Sequence, residues 1–197
     1  MDTSTNGRLR AAGLLLAAAW LIGPALGQAS AASGATASAS PEATTTKAQW
    51  RTQKLEFTYT GFTAYYTCEG LESKVRYVLL HFGARNDAKV RALGCDRAQN
   101  QPNKVAWVEA EFSALAPASD SAKGEIVQGV WQKVRLEADR PTDMGTGECE
   151  LVDQMRPMLE KGFTMRNTDY RAFCVPKQIS VGDYSVNTEV LQPAAAH

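Results

Sequence analysis

The stretch "CEGLESKVRYVLLHFGARN" from Cys68 is answered 81 positions later by "CELVDQMRPMLEKGFTMRN" from Cys149. At that one spacing Cys68 coincides with Cys149, Glu69 with Glu150, Phe82 with Phe163, Arg85 with Arg166 and Asn86 with Asn167. Repetition at a fixed spacing marks an architecture built from like units. Inside the repeat the apolar stripe fits a spacing of 80 better, pairing Leu71 with Leu151, Val75 with Met155 and Leu79 with Leu159. A slip of one residue turns a helix by about 100°, so either one helix has lost a residue or part of the match is accidental.

The periodicity around the repeat defines each unit. "KLEFTYTGF" alternates Leu55, Phe57 and Tyr59, as a half-buried strand does. From Cys68 the spacing becomes helical, with Thr67 as N-cap and Gly83 as the stop. Strands are expected over residues 88–95 and from Lys104, which gives β-α-β-β. The same order follows the polar link "APASDSAKGE": a strand from Ile126, a helix over Glu148 to Lys161, and strands near Asn167 to Cys174 and Tyr184 to Leu191. Pro157 should kink or shorten the second helix. The expected fold is an α+β two-layer sandwich, a duplicated βαββ unit with two helices packed on one antiparallel or mixed sheet. The half-units cover about residues 53–115 and 125–191.

Ahead of this domain, Arg8 and Arg10 precede the apolar run "AAGLLLAAAWLIG", followed by Pro24 and "ALG". This is the pattern of a secretory signal peptide over residues 1–27, with cleavage after Gly27 or Ala31. Residues 28–47, nearly all Ala, Ser and Thr, read as a flexible leader, residues 48–192 as the folded domain and 193–197 as a frayed tail. No second apolar run of similar length follows, so no membrane span is expected in the mature chain. The protein is expected to be exported, periplasmic or extracellular. Without the signal peptide the chain carries 19 basic and 20 acidic residues. Such a balance gives no field to draw in nucleic acid, and none is expected as a partner.

An even number of cysteines in an exported chain reads as disulfides. A helix start and the end of the strand that returns along it lie at one edge of the layer. Fifteen helical residues rise about 22 Å and seven strand residues span about 23 Å, so Cys68 should bond Cys95, and Cys149 should bond Cys174. There is no CxxC, and the only histidines are His81 and His197, so neither metal nor cofactor is expected. His81 and the glutamates at 69, 72, 148 and 150 lie at helix ends, where the macrodipole accounts for them.

GxSxG, HExxH, SxxK and a phosphate loop are absent. The sequence therefore points to a small binding or interaction module of the cell envelope, with a protein or small-molecule partner. The alternative is an envelope enzyme, either a thiol-disulfide protein or a hydrolase without a local motif. Two candidate sites follow. Arg85 and Arg166, equivalent in the two units, are candidate anion contacts. The strands of Trp107 and Trp131 are expected to pair as an antiparallel hairpin, with Glu109 and Glu111 facing Lys133 and Arg135. Trp107, Trp131, Lys133 and Arg135 then form a candidate contact surface.

Overall fold

The computed structural model describes residues 45–97, 101–119, 125–138, 140–141, 143–175 and 184–194. The expected signal peptide, both cleavage sites and the leader up to residue 44 lie outside the described residues. The elements run β1 (Thr45–Thr60), α1 (Cys68–His81), β2 (Lys89–Leu93), β3 (Asp96–Arg97), β4 (Gln101–Pro102), β5 (Val105–Pro117), β6 (Ile126–Glu137), α2 (Cys149–Gly162), β7 (Met165–Ala172) and β8 (Tyr184–Pro193). A 3-10 turn at Thr146–Glu148 leads into α2. Six strands form one antiparallel sheet in the order β2-β5-β1-β6-β8-β7, and β3 pairs with β4 separately. The fold is α+β.

Two boundaries and one strand pairing differ from the sequence reading. Thr45–Lys47, assigned to the leader, belong to β1, because Thr45–Gln49 pair with Val130–Ile126. Pro193, assigned to the tail, pairs with Gly129, and the Ala194 N–H donates to the Gln128 carbonyl at 2.9 Å. The expected hairpin between the Trp107 and Trp131 strands does not form. β1 is long enough to lie between them, giving Ala48–Thr60 to β5 and Thr45–Gln49 to β6. β5 and β6 are consequently parallel to each other, on opposite sides of β1. Glu109 and Glu111 face Glu56 and Lys54 instead of Lys133 and Arg135.

The helices show how the repeat is and is not kept. The Thr67 hydroxyl accepts the Gly70 N–H at 3.1 Å, and Gly83 leaves α1 at φ +92°. Glycine alone adopts that conformation readily, and a Cβ there would lie 2.7 Å from the Gln192 side chain. α2 neither shortens nor stops at Pro157; the ring lies on its exposed side and the helix continues to Gly162. Both helices have 14 residues, so neither has lost one. The buried stripes nevertheless keep the spacing of 80, Leu71, Val75, Val78 and Leu79 matching Leu151, Met155, Met158 and Leu159. Relative to α1, α2 is turned about its axis by about 100°. α1 packs mainly on β2, whereas α2 packs mainly on β1.

Cys68 bonds Cys95 and Cys149 bonds Cys174, with Cα atoms 5.1 and 5.5 Å apart. Each bridge joins a helix start to the end of the following strand, the pairing expected from the matched lengths. A second tie repeats beside it: Glu72 accepts the Ala92 N–H at 2.8 Å, and Asp153, 81 residues on, accepts the Tyr170 hydroxyl at 2.6 Å. The main core lies between the helices and one sheet face, with Phe112 stacked on Phe163 at 5.2 Å. No helix among the described residues is long and apolar enough to cross a membrane.

Candidate functional site

Alternation along the strands puts the core-facing residues on one side and a second set on the side away from the helices. At the centre of that helix-free face Ala48, Leu115 and Leu191 are buried under Trp50, Val127 and Trp131, in a cluster that contains no helix residue. The register builds it: Trp50 lies opposite Leu115, Trp131 opposite Leu191, and Ala48 opposite Val127. Gly129 must stay small here, since a Cβ would lie 2.9 Å from Leu191 Cδ1 and 3.1 Å from Ala48 Cβ.

Each tryptophan carries an arginine. The Arg85 guanidinium lies 5.9 Å from the Trp50 ring centre, and that of Arg166 lies 4.2 Å from Trp131. The two candidate anion contacts are thus brought to one face as ring partners. Neither Asn86 nor Asn167 ends a helix; Asn167, at φ 53°, sits at the β7 bulge between Arg166 and Asp169. Each guanidinium also has a carboxylate: Arg166 Nε lies 2.6 Å from Glu189 and Arg85 Nε 3.7 Å from Asp87. The hydrogen bond from Arg166 holds the Glu189 carboxyl below the usual glutamate range. These cations are compensated, and their planar groups extend the indole surfaces.

Lys133 lies opposite Glu189 on the same face, and Arg135 Nε pairs with Glu137 at 2.7 Å, lowering the Glu137 carboxyl. Trp107 shares the face but not the patch. It sits beside Leu93 and Thr58, eight residues along β5 from Leu115, or about 27 Å. Trp107 and Leu93 are each 41% exposed. Between the two aromatic areas lie Lys54, Glu56, Lys89, Arg91, Glu109 and Glu111, with Lys54 and Glu109 paired at 3.7 Å. The structure therefore joins Trp131, Lys133, Arg85 and Arg166 into one area and leaves Trp107 at a far corner.

Other candidate groups are structural. Glu150 accepts from Phe62 N at 2.8 Å, Thr63 N at 3.0 Å and Thr63 Oγ1 at 3.1 Å, fixing the loop after β1. Lys74 pairs with Glu148 at 3.0 Å. His81 Nε2 donates to the Arg135 carbonyl at 2.9 Å. Burial raises the Tyr59 and Tyr66 hydroxyls well above the ordinary tyrosine range, and Glu148 and Glu150 add to it. Both phenols stay protonated near neutrality and supply no base. All four sulfurs are held in disulfides, and no three His, Cys, Asp or Glu among the described residues form a metal set.

Trp50 is the residue of this site that sequence reasoning missed. The signal was present: Trp50 and Trp131 are 81 residues apart, as are Leu55 and Leu136, and Glu56 and Glu137. No family model, no curated protein and no solved structure matches this chain.

Proposed function

We propose that the chain is an exported binding module, a duplicated βαββ unit that docks a protein partner on its helix-free sheet face. One observation carries the reading: Trp50, Trp107 and Trp131, all the tryptophans among the described residues, lie on that face, two of them under arginines. Tryptophan and arginine are the residues in which binding energy concentrates, because they offer large contact area with a polar edge. Duplication is supported by the β1–β6 ladder. Its central pair is Lys47 with Gln128, residues 81 apart, as a two-fold relation at that spacing requires. The strands read outward as β1, β5, β2 on one side and β6, β8, β7 on the other, in matching order.

Photocross-linking tests the docking face. A photoreactive residue is placed at Lys133 in one variant and at exposed Glu160 on α2 in another, and each is irradiated in intact cells. The reading expects a discrete adduct from position 133 that is lost with Trp131→Ala, and none from position 160. Equal adducts from both positions overturn it.

A further inference from the structure

One edge of β1 is paired over only part of its length. β6 covers this edge only from Thr45 to Gln49, so the rest of β1 has a strand on its β5 side alone. The direction of the free groups follows from Thr60. Its N–H donates to Gln154 Oε1 at 2.7 Å and its carbonyl accepts from Gln154 Nε2 at 2.9 Å, both away from β5. Strand alternation then turns the N–H and C=O of Lys54, Glu56 and Thr58 the same way. No hydrogen bond to those groups occurs among the described residues. Gln154 plays at Thr60 the part of a neighbouring strand, one residue long.

The corresponding edge of β6 is closed by the chain itself. Arg135 and Glu137 stand 81 residues after Lys54 and Glu56. The Arg135 carbonyl accepts from His81, the Glu137 N–H donates to Arg140 at 2.7 Å, and the Arg140 N–H donates to the Glu137 carbonyl at 3.0 Å. This correspondence rests on the proposed duplication and is independent of the partner proposed for the helix-free face. The residue at the place of His81 is Gly162, which has no side chain to reach the edge. Its carbonyl instead accepts from Gln53 Nε2 at 2.6 Å, closing the far end of the opening.

Between these ends lies an open groove of about 510 Å³ lined by Lys54, Leu55, Glu56 and Phe57 of β1 and by Gln154, Pro157, Met158 and Lys161 of α2. A strand edge facing a helix across a groove suits strand addition, in which main-chain bonds give affinity and alternate side chains give selectivity. The apolar lining lies on the α2 side, at Leu55, Phe57, Pro157 and Met158. Lys161 has no carboxylate partner among the described residues, whereas Lys54 is paired with Glu109. We propose that the groove takes an extended segment of a partner polypeptide, apolar at alternate positions, with one carboxylate set against Lys161.

The probe is an acetylated, amidated hexapeptide of alternating valine and threonine with one terminal glutamate, titrated into the isotope-labelled protein by NMR. Expected are shifts and slowed hydrogen exchange at the Lys54, Glu56 and Thr58 amides, with Leu55 and Phe57 already protected in the free protein. Glu56→Pro removes one edge N–H that faces away from β5, a position proline tolerates, and should weaken binding about tenfold. A peptide N-methylated at alternate residues should not bind, a control that does not depend on the variant folding. Lys161→Glu should reverse the preference in favour of a lysine-ended peptide. The proposal is overturned if the three amides are already protected in the free protein. It is equally overturned if the same shifts appear on raising protein concentration alone, or if the N-methylated peptide binds as well as the parent.

Discussion

The ring of Phe82 lies 5.6 Å from that of Phe163, and each residue is the C-cap of its helix. The two stand 81 residues apart, the spacing of the sequence match, so residues that coincide in the sequence touch in the structure. Phe163 also stacks on Phe112, which links both helix ends to β5. Phe82 is fully buried, and Phe82→Ala should cost about 3–5 kcal/mol through transfer and cavity terms. Because the rings touch, the double replacement with Phe163→Ala should cost less than the sum of the single ones. Urea unfolding of the three variants checks both statements.

The disulfides close loops of nearly equal separation, 27 and 25 residues. Removing either by a double Cys→Ala replacement should lower stability by about 3–4 kcal/mol in the chain-entropy model. The two losses should be similar and nearly additive, since the bridges lie in different halves. Similar and additive unfolding free energies, each taken with the variant's own denaturant slope because loss of a bridge lets the unfolded chain expand, would bear this out; a loss confined to one bridge would not.

Much of this was legible because it is local. Thr67 and Gly83 mark α1 by cap chemistry alone, and the lengths of a helix and its return strand fix the disulfide partners. The first half of β1 was hidden because "TTKAQWRTQ" has a single large apolar residue and no alternation. Its buried position is Ala48, covered by neighbours from β5, β6 and β8 that sequence spacing does not reveal. The order of strands was hidden for the same reason. Whether β5 meets β6 or β1 depends on which long-range ladder forms, and β1 is long enough to serve both.

Glu150 is worth more than its place at a helix start suggests. Glu150→Ala leaves the Phe62 and Thr63 N–H groups without their acceptor, at about 1–3 kcal/mol for a group left unpaired. Hydrogen exchange at those two amides should accelerate while the amides of β5 keep their protection. Unchanged exchange at Phe62 and Thr63 would count against the loop-anchoring role.

Glu189 gives a pH signature. Its carboxyl is lowered by the hydrogen bond from Arg166, with Asn167 and Lys133 contributing. A depressed carboxyl adds stability that is present above the ordinary glutamate value and lost as pH falls through its own lower value. NMR titration should place the Glu189 carboxyl below the ordinary glutamate value. Arg166→Ala should bring it back toward the ordinary value and, by removing the cation above Trp131, alter the tryptophan fluorescence as well.

No disulfide crosses from one half of the protein to the other, and the chain passes between them once, over residues 118–125. A single cut there would yield two polypeptides with no covalent bond between them, each keeping one helix, three strands of the large sheet and its own bridge. Their cohesion would rest on the five residue pairs of the β1–β6 ladder, on α2 packed against β1, on the hydrogen bonds of Gln154 to Thr60 and of Glu150 to Phe62 and Thr63, and on the apolar contacts around Phe82 and Phe163. Such a protein is divisible: fragments 45–117 and 126–194, expressed separately, are expected to find each other and rebuild the sheet by complementation, and the seam offers a place for circular permutation.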